Sequence, residues 1–219
     1  QAPLKNMQNK TFGVPDFLFR SDILNKLFPY TIPEDEVKNN APNISDRQYH
    51  YRVVDVKFIT LNLKSDNQLS TSNWDYMMQI FIYNQALGLT QGYTPPEGYL
   101  LGRRWKTSQE RGNKFTDKLA RIPNIAESKS KGKIKSNVEN AIEWLHKVKN
   151  EGDQWQVTPE PSNDFLRPNI SNQQDYPWHS AKSSINAQLK DLTSLWQVST
   201  SNRSIANKSG IFKWDEENY

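Results

Sequence analysis

The stretch YHYRVVDVKFITLNL, residues 49 to 63, alternates β-branched and aromatic residues in the pattern of a long strand. Strand interiors usually avoid Asp and Lys, yet Asp55 and Lys57 stand inside this one, two positions apart. A side-chain period of two puts both on one face, with Cα atoms roughly 6.5–7 Å apart. A carboxylate placed there can hold a hard divalent cation, and the ammonium can reach a water or phosphate oxygen beside it. The same pair also reads as an internal ion pair, or as the solvent face of an edge strand.

Upstream, TFGVPDFLFRSDIL (11–24) reads as an apolar strand interrupted by Gly13 and Pro15. If it neighbours the 49–63 strand, Asp16 and Asp55 converge on one metal. Pro15 points to a strand edge or end, where such a site fits; GVPD equally reads as a turn. Residues 29–48, rich in Pro, Asn and acid, read as loop. Downstream, NWDYMMQIFIYNQALG (73–88) has apolar residues at helical spacing, a cap at Ser72 or Asn73, and a stop at Gly88. Gln79 and Tyr83 lie four apart and share a face of that helix. In an otherwise apolar helix they satisfy each other or need other partners. YLLGRRW (99–105) reads as a further short strand, giving an α/β core over the first hundred residues.

The chain has 219 residues, 35% of them apolar, and a mean hydropathy of -0.85. Seven Trp, nine Tyr and nine Phe compensate, since each buries ~150–250 Å². No apolar run approaches the ~20 residues of a membrane span, and no signal-peptide pattern opens the chain. With no Cys, disulfides and thiolate zinc sites are excluded, and an intracellular location fits. The net charge of +4 is unevenly spread. Residues 102–150 hold 13 basic and 5 acidic groups, a net +8, while both flanks are slightly acidic. Such a block favours a polyanion such as nucleic acid, or it is a lysine-rich solvated linker or helix face.

After Trp105 the character changes. KSKGKIK (129–135) reads as exposed and mobile, and residues 136–152 as an amphipathic helix with Val138, Ile142, Leu145 and Val148 on one stripe. A Pro/Asn-rich connection leads to a second helical stretch, 178–198, then a short helix and a Gly-Ile turn. No repeat of fixed period is present. Residues 1–105 therefore read as the core, and 106–219 as a basic, helical C-terminal part packing on it.

Taken together, Gly13 and Asp16 (GxxD), Asp55 and Lys57 (DxK), and Gln79 and Tyr83 (QxxxY) resemble the RecB-like branch of the PD-(D/E)XK nuclease superfamily. The order and the strand-strand-helix placement agree, over residues 12 to about 105. NAIEWLHKV, DYPW and DLTSLW…NRSIANKSGIFKWDE are similar to the tail of some RecB-like nucleases, large-virus forms among them. That tail resembles a degenerate helix-hairpin-helix without the Gly-x-Gly that grips a phosphate.

The resemblance implies a restriction-endonuclease-like core, with a central mixed β-sheet flanked by helices and a helical C-terminal extension. It implies a DNA nuclease using Mg²⁺ or Mn²⁺ held by Asp16, Asp55 and the Val56 carbonyl. Lys57 then orients the attacking water or stabilises the developing oxyanion. Gln79 and Tyr83 position the substrate strand or brace the site. Arg103, Arg104 and Lys106 are the candidates for holding the DNA backbone, and Trp105 either stacks on a base or belongs to the core. Partners implied are single- or double-stranded DNA and helicase or other replication and repair modules. Two departures accompany the likeness. The long gap from Asp16 to Asp55 implies an insertion at 25–48. QAPLKNMQNKTF, before Gly13, has neither the His nor the Glu of the family's upstream helix, so this chain is expected to be a fragment or to have lost that ligand. A catalytically inactive, nuclease-like nucleic-acid-binding module and a partner-docking domain are the alternatives.

Overall fold

The computed structural model describes residues 2–112 and 118–215. Contacts divide the chain into two units, Gln1–Leu145 and His146–Tyr219. The first holds β1 (Leu4–Asn6), β2 (Thr11–Gly13), β3 (Phe17–Arg20), α1 (Ser21–Leu27), α2 (Glu34–Val37) and β4 (Tyr51–Asn62). There follow α3 (Trp74–Gln91), β5 (Glu97–Lys106), β6 (Arg111–Gly112), β7 (Ala120–Pro123), β8 (Glu127–Ser128), β9 (Gly132–Lys133) and the start of α4 (Ile134–Glu151).

The first unit is mixed α/β. β4 lies between β3, to which it is antiparallel, and β5, to which it is parallel; β6 and β7 pair antiparallel with different parts of β5. A parallel β4–β5 pair requires a crossover, and α3 is that crossover. Alternation along β4 feeds two cores. Val53 and Leu61 pack with Met77, Ile80, Phe81 and Leu87 of α3 and with Leu100. On the opposite face Val54 and Tyr99 pack with Leu24 of α1, Ile32 and Leu119. The sheet is thus flanked by helices, and β1–β2 form a hairpin against α3.

Several boundaries differ from the sequence reading. The 11–24 run is two short strands and a helix, because GVP breaks the first strand and Ser21 opens α1. The 29–48 loop contains the single turn of α2. Helix α3 runs past Gly88, which is internal because Thr94 packs where its Cβ would stand, at 2.1 Å. The stop is Gly92, in the left-handed region at φ 77°, where a left-handed C-terminal residue favours glycine. On α4, Val138 is buried and Ile142 half-buried, but Leu145 and Val148 are exposed, so only the first half of the stripe is covered.

Within the second unit, α5 (His179–Leu189) and α6 (Thr200–Lys208) are joined by a 3₁₀ turn, Leu192–Ser194. The helix expected over 178–198 ends at Leu189, with Lys190 in the left-handed region. Asp191, fully buried, accepts from Thr193 N (2.9 Å), Thr193 Oγ1 (2.7 Å) and Arg203 (3.1 Å). A buried charge persists where it is paired and hydrogen-bonded, as here. Ser199 and Asn202 form a capping box at the start of α6. Residues 216–219 of the terminal segment lie outside the described residues, as do Lys114 and Asp117 of the basic block.

The start of β4 is anchored by polar groups. Arg52, fully buried, donates to His50 Nε2 (2.8 Å) and the Glu97 carbonyl (3.1 Å) and pairs with Glu36. His50 Nδ1 lies 2.9 Å from the Asn39 carbonyl, which only a protonated Nδ1 can bond. The imidazole is therefore neutral, with Nε2 as acceptor. Burial, and then the Arg52 charge, push its pKa down to about 4. Between pH 6.5 and 4 the unfolded chain takes up a proton that the folded one refuses, so stability falls as pH drops through that window. From pH 6.5 to 4.5 this group alone removes on the order of 2 kcal/mol. In urea titrations across that range, H50Q is expected to start less stable than wild type and to lose less on acidification.

Candidate functional site

Asp55 and Lys57 occupy the α3-facing side of β4. Asp55 is 3% exposed, and Lys57 Nζ lies 2.7 Å from its Oδ2. That is an ion-pair contact whose angles fall outside those of a hydrogen bond, so Oδ2 is a buried oxygen without a hydrogen-bond partner among the described residues. The Lys57 ammonium also stands 5.2 Å above the ring of Tyr76 on α3, a cation–π distance.

Asp16 reaches the pair from 39 residues upstream. It sits in the bend between β2 and β3, just after buried Pro15. Its N–H donates to Asp55 Oδ1 at 3.3 Å, and its Oδ2 accepts from the Val56 N–H at 2.7 Å. The reason lies in the ladder. β3 begins at Phe17, opposite Val54, so the β4 edge at Val56 has no strand to pair with there. The Val56 N–H is taken up by the Asp16 carboxylate instead. In a strand a residue's N–H and C=O point to the same side. The Val56 carbonyl therefore faces the same open edge as Asp16.

Helix α3 closes the arrangement. Gln79 Nε2 donates to Tyr83 OH at 2.8 Å, so this pair does satisfy itself. Tyr76, Gln79 and Tyr83 fall on one helical stripe by their spacing of three and four. One end of the stripe meets Lys57 through Tyr76; the other meets β2 through Tyr83. A Cβ on Gly13 would stand 2.2 Å from Tyr83 Cε1, so the ring occupies the space a side chain would need. Gly13 is required by close approach, and that approach sets the entry to the Asp16 bend. Tyr76 was not singled out in the sequence; its position three residues before Gln79 is the signal that could have found it.

Arg103, Arg104 and Lys106 are exposed on β5, just beyond Gly102, the register partner of Lys57. Among the described residues none of the three has an ion-pair partner. The Arg103 guanidinium lies 4.9 Å over the ring of Phe58. Trp105 takes the core role rather than stacking: it is 8% exposed, packs where a Gly112 Cβ would be, and carries Lys118 4.1 Å from its ring. His50 belongs to the buried network at the start of β4. A cavity of about 620 Å³ opens elsewhere in the unit, bordered by Asn25, Tyr30, Glu34, Asp66, Lys118 and Arg121, and no motif residue lines it.

Among the described residues no three His, Asp or Glu side chains gather as a ready-made metal cage. The two acids nevertheless suit a hard cation. Mg²⁺ is commonly held by one or two carboxylates, with waters and substrate phosphate completing its shell. Compared with protein-family models, curated proteins and solved structures, the chain matches none.

Gly13→Ala is expected to push the Tyr83 ring off its seat and break the Gln79–Tyr83 bond. Overpacking of this kind costs about 1–3 kcal/mol, to be read as a lowered midpoint in urea denaturation.

Proposed function

We propose that the first unit is a divalent-metal-dependent nuclease with a restriction-endonuclease-like core of the RecB-like type, hydrolysing DNA phosphodiester bonds. It serves as a module of a replication, recombination or repair protein. One observation carries the reading. Asp16 and Asp55, distant in sequence, are in hydrogen-bond contact at 3.3 Å, with Lys57 2.7 Å from Asp55 and Tyr83 seated on Gly13. Asp16, Asp55 and Lys57 meet in one group and Gly13, Gln79 and Tyr83 in a second, the two joined through the 13–16 bend, and this arrangement supports the reading.

Asp16, Asp55 and the Val56 carbonyl would hold Mg²⁺ or Mn²⁺. When bound, such an ion acidifies water and neutralises charge on the scissile phosphate. Two neighbouring carboxylates repel each other, and their acceptor oxygens offer a phosphate nothing but repulsion without a cation between them. Lys57 supplies the positive charge the chain itself contributes. Its ammonium is held between Asp55 and the Tyr76 ring, where it can orient a water or stabilise the oxyanion that develops on phosphorus. Gln79 and Tyr83 act by position, bracing α3 against the Asp16 bend. Arg103, Arg104 and Lys106 hold the DNA backbone on the β5 side.

The second reading is an inactive, nuclease-like nucleic-acid-binding module. It is favoured by the gathering of two carboxylates rather than three at the site among the described residues and by the pairing of Lys57 with one of them.

The test is incubation of labelled single- and double-stranded DNA with Mn²⁺ or with EDTA, scoring binding and cutting together. Wild type is expected to cut in Mn²⁺ alone. D55N and K57A are expected to slow cutting by about 10²–10³-fold with unchanged circular dichroism. Mn²⁺ should raise the melting temperature of wild type and not that of D55N. Cleavage by D55N at the wild-type rate overturns the proposal; metal-independent binding with no cutting by wild type selects the second reading.

A further inference from the structure

The face of β4 opposite Asp55 and Lys57 carries a different chemistry. Val56 and Phe58 alternate onto it, and Phe17 joins them through its pairing with Val54. All three are exposed: Phe58 at 81%, Phe17 at 45% and Val56 at 41%. Phe58 lies where the β4–β5 register slips, between Lys57 and Thr60. Bulges of this kind occur at sheet edges and next to functional sites, where they re-aim a side chain.

A phenylalanine this exposed carries an apolar cost, and its surroundings say what would relieve it. One side of its ring has the Arg103 guanidinium at 4.9 Å. The exposure of the rest leaves a ring surface open to solvent. Arg103 has no carboxylate partner among the described residues, so this face presents an aromatic plane beside a cation that no acid neutralises.

An anionic polymer with free planar rings matches these features. We propose that the ledge formed by Phe58 and Arg103 takes an unpaired base of single-stranded nucleic acid. The base stacks on the open side of the Phe58 ring, while Arg103 holds a flanking phosphate. Stacking on an aromatic side chain requires a base free of its own stack, whereas phosphate contacts serve single and double strands alike. The ledge therefore confers a preference for single strands over duplex. The inference rests on the reading that nucleic acid is the ligand, and it is independent of hydrolysis.

The full chain in EDTA, so that nothing is cut, is titrated into a fluorescent dodecathymidylate and into a twelve-base-pair duplex. Wild type is expected to bind the single strand more tightly. F58A should weaken single-strand binding by roughly 5- to 150-fold, the range for loss of one stacked base, and leave duplex binding within about twofold. F58W should bind the single strand as well as wild type. R103A should weaken both ligands and flatten the dependence of log affinity on log salt by about one. Equal single-strand affinity for wild type and F58A overturns the inference. So does an equal loss for both ligands, failure of wild type to bind either, or an F58A-sensitive self-association in sedimentation, which would make the face a contact between copies of the chain. A parallel Mn²⁺ reaction separates this from the hydrolytic reading. Phe58-dependent binding without cutting keeps the ledge and rejects the nuclease; metal-dependent cutting with unaltered F58A does the reverse.

Discussion

Where β3 stops, β4 goes on, and the backbone it leaves uncovered is taken up by a side chain. Asp16 accepts the Val56 N–H with its carboxylate and gives its own N–H to Asp55. This reciprocal exchange ties a bend, a strand edge and a buried acid into one unit. It needs the chain to leave β2 after Gly13, turn at Pro15 and enter β3 only at Phe17. A longer β3 would pair with Val56 directly and leave Asp16 without a task at the edge. The cost of gathering two carboxylates is offset in part by Lys57, whose ammonium sits at ion-pair distance from the buried Asp55 Oδ2.

Rigidity around this exchange comes from both ends of β4 and from the helix above it. At the strand's start, Arg52 and His50 are locked by Glu36, Asn39 and the Glu97 carbonyl, so the backbone leading to Asp55 has no freedom to slip register. Above it, α3 packs Met77, Ile80 and Phe81 into the core while Tyr76 and Tyr83 reach Lys57 and Gly13 on its other stripe. One helix thus brings core packing and site geometry under the same constraint. A site on regular elements, with its side chains fixed by packing, is better placed for chemistry than one on a free loop.

The two faces of β4 differ in chemistry. On the α3 side Asp55 and Lys57 form a largely enclosed ion pair; on the opposite side Val54 lies in a core, while Val56 and Phe58 beyond it are exposed, with Arg103 over the Phe58 ring. The described part of the positive block lies on regular elements: Arg103, Arg104 and Lys106 are on β5, while Lys129, Lys131, Lys133 and Lys135 stand exposed on the β8–β9 hairpin and the first turn of α4. Phosphates are neutralised by such charges whatever the sequence of the bases. No helix among the described residues is long and apolar enough to cross a membrane.

Local residue patterns carried much of this. Alternation in residues 49–63 pointed to a long strand, helical spacing pointed to α3 and α4, and the period of two put Asp55 and Lys57 on one face. The i to i+4 spacing put Gln79 and Tyr83 on one face, and of the two readings left open there the structure gives the mutual bond. What local patterns could not carry were contacts made by distant segments. Gly88 looked like a helix end because glycine is permissive anywhere, and only Thr94, packed against it from beyond the helix, explains it inside one. Leu145 and Val148 continue an apolar stripe that the fold leaves uncovered, since periodicity states which face is apolar and not what lies on it. Trp105 and Phe58 are both large apolar residues on strands; tertiary packing buried the first and left the second in water. The sequence alone determined which residues share a strand or a helix face. The tertiary structure decided that β3 ends at Phe17 and that Asp16 therefore meets Asp55, because a missing backbone partner is satisfied through space and leaves no trace in neighbouring letters.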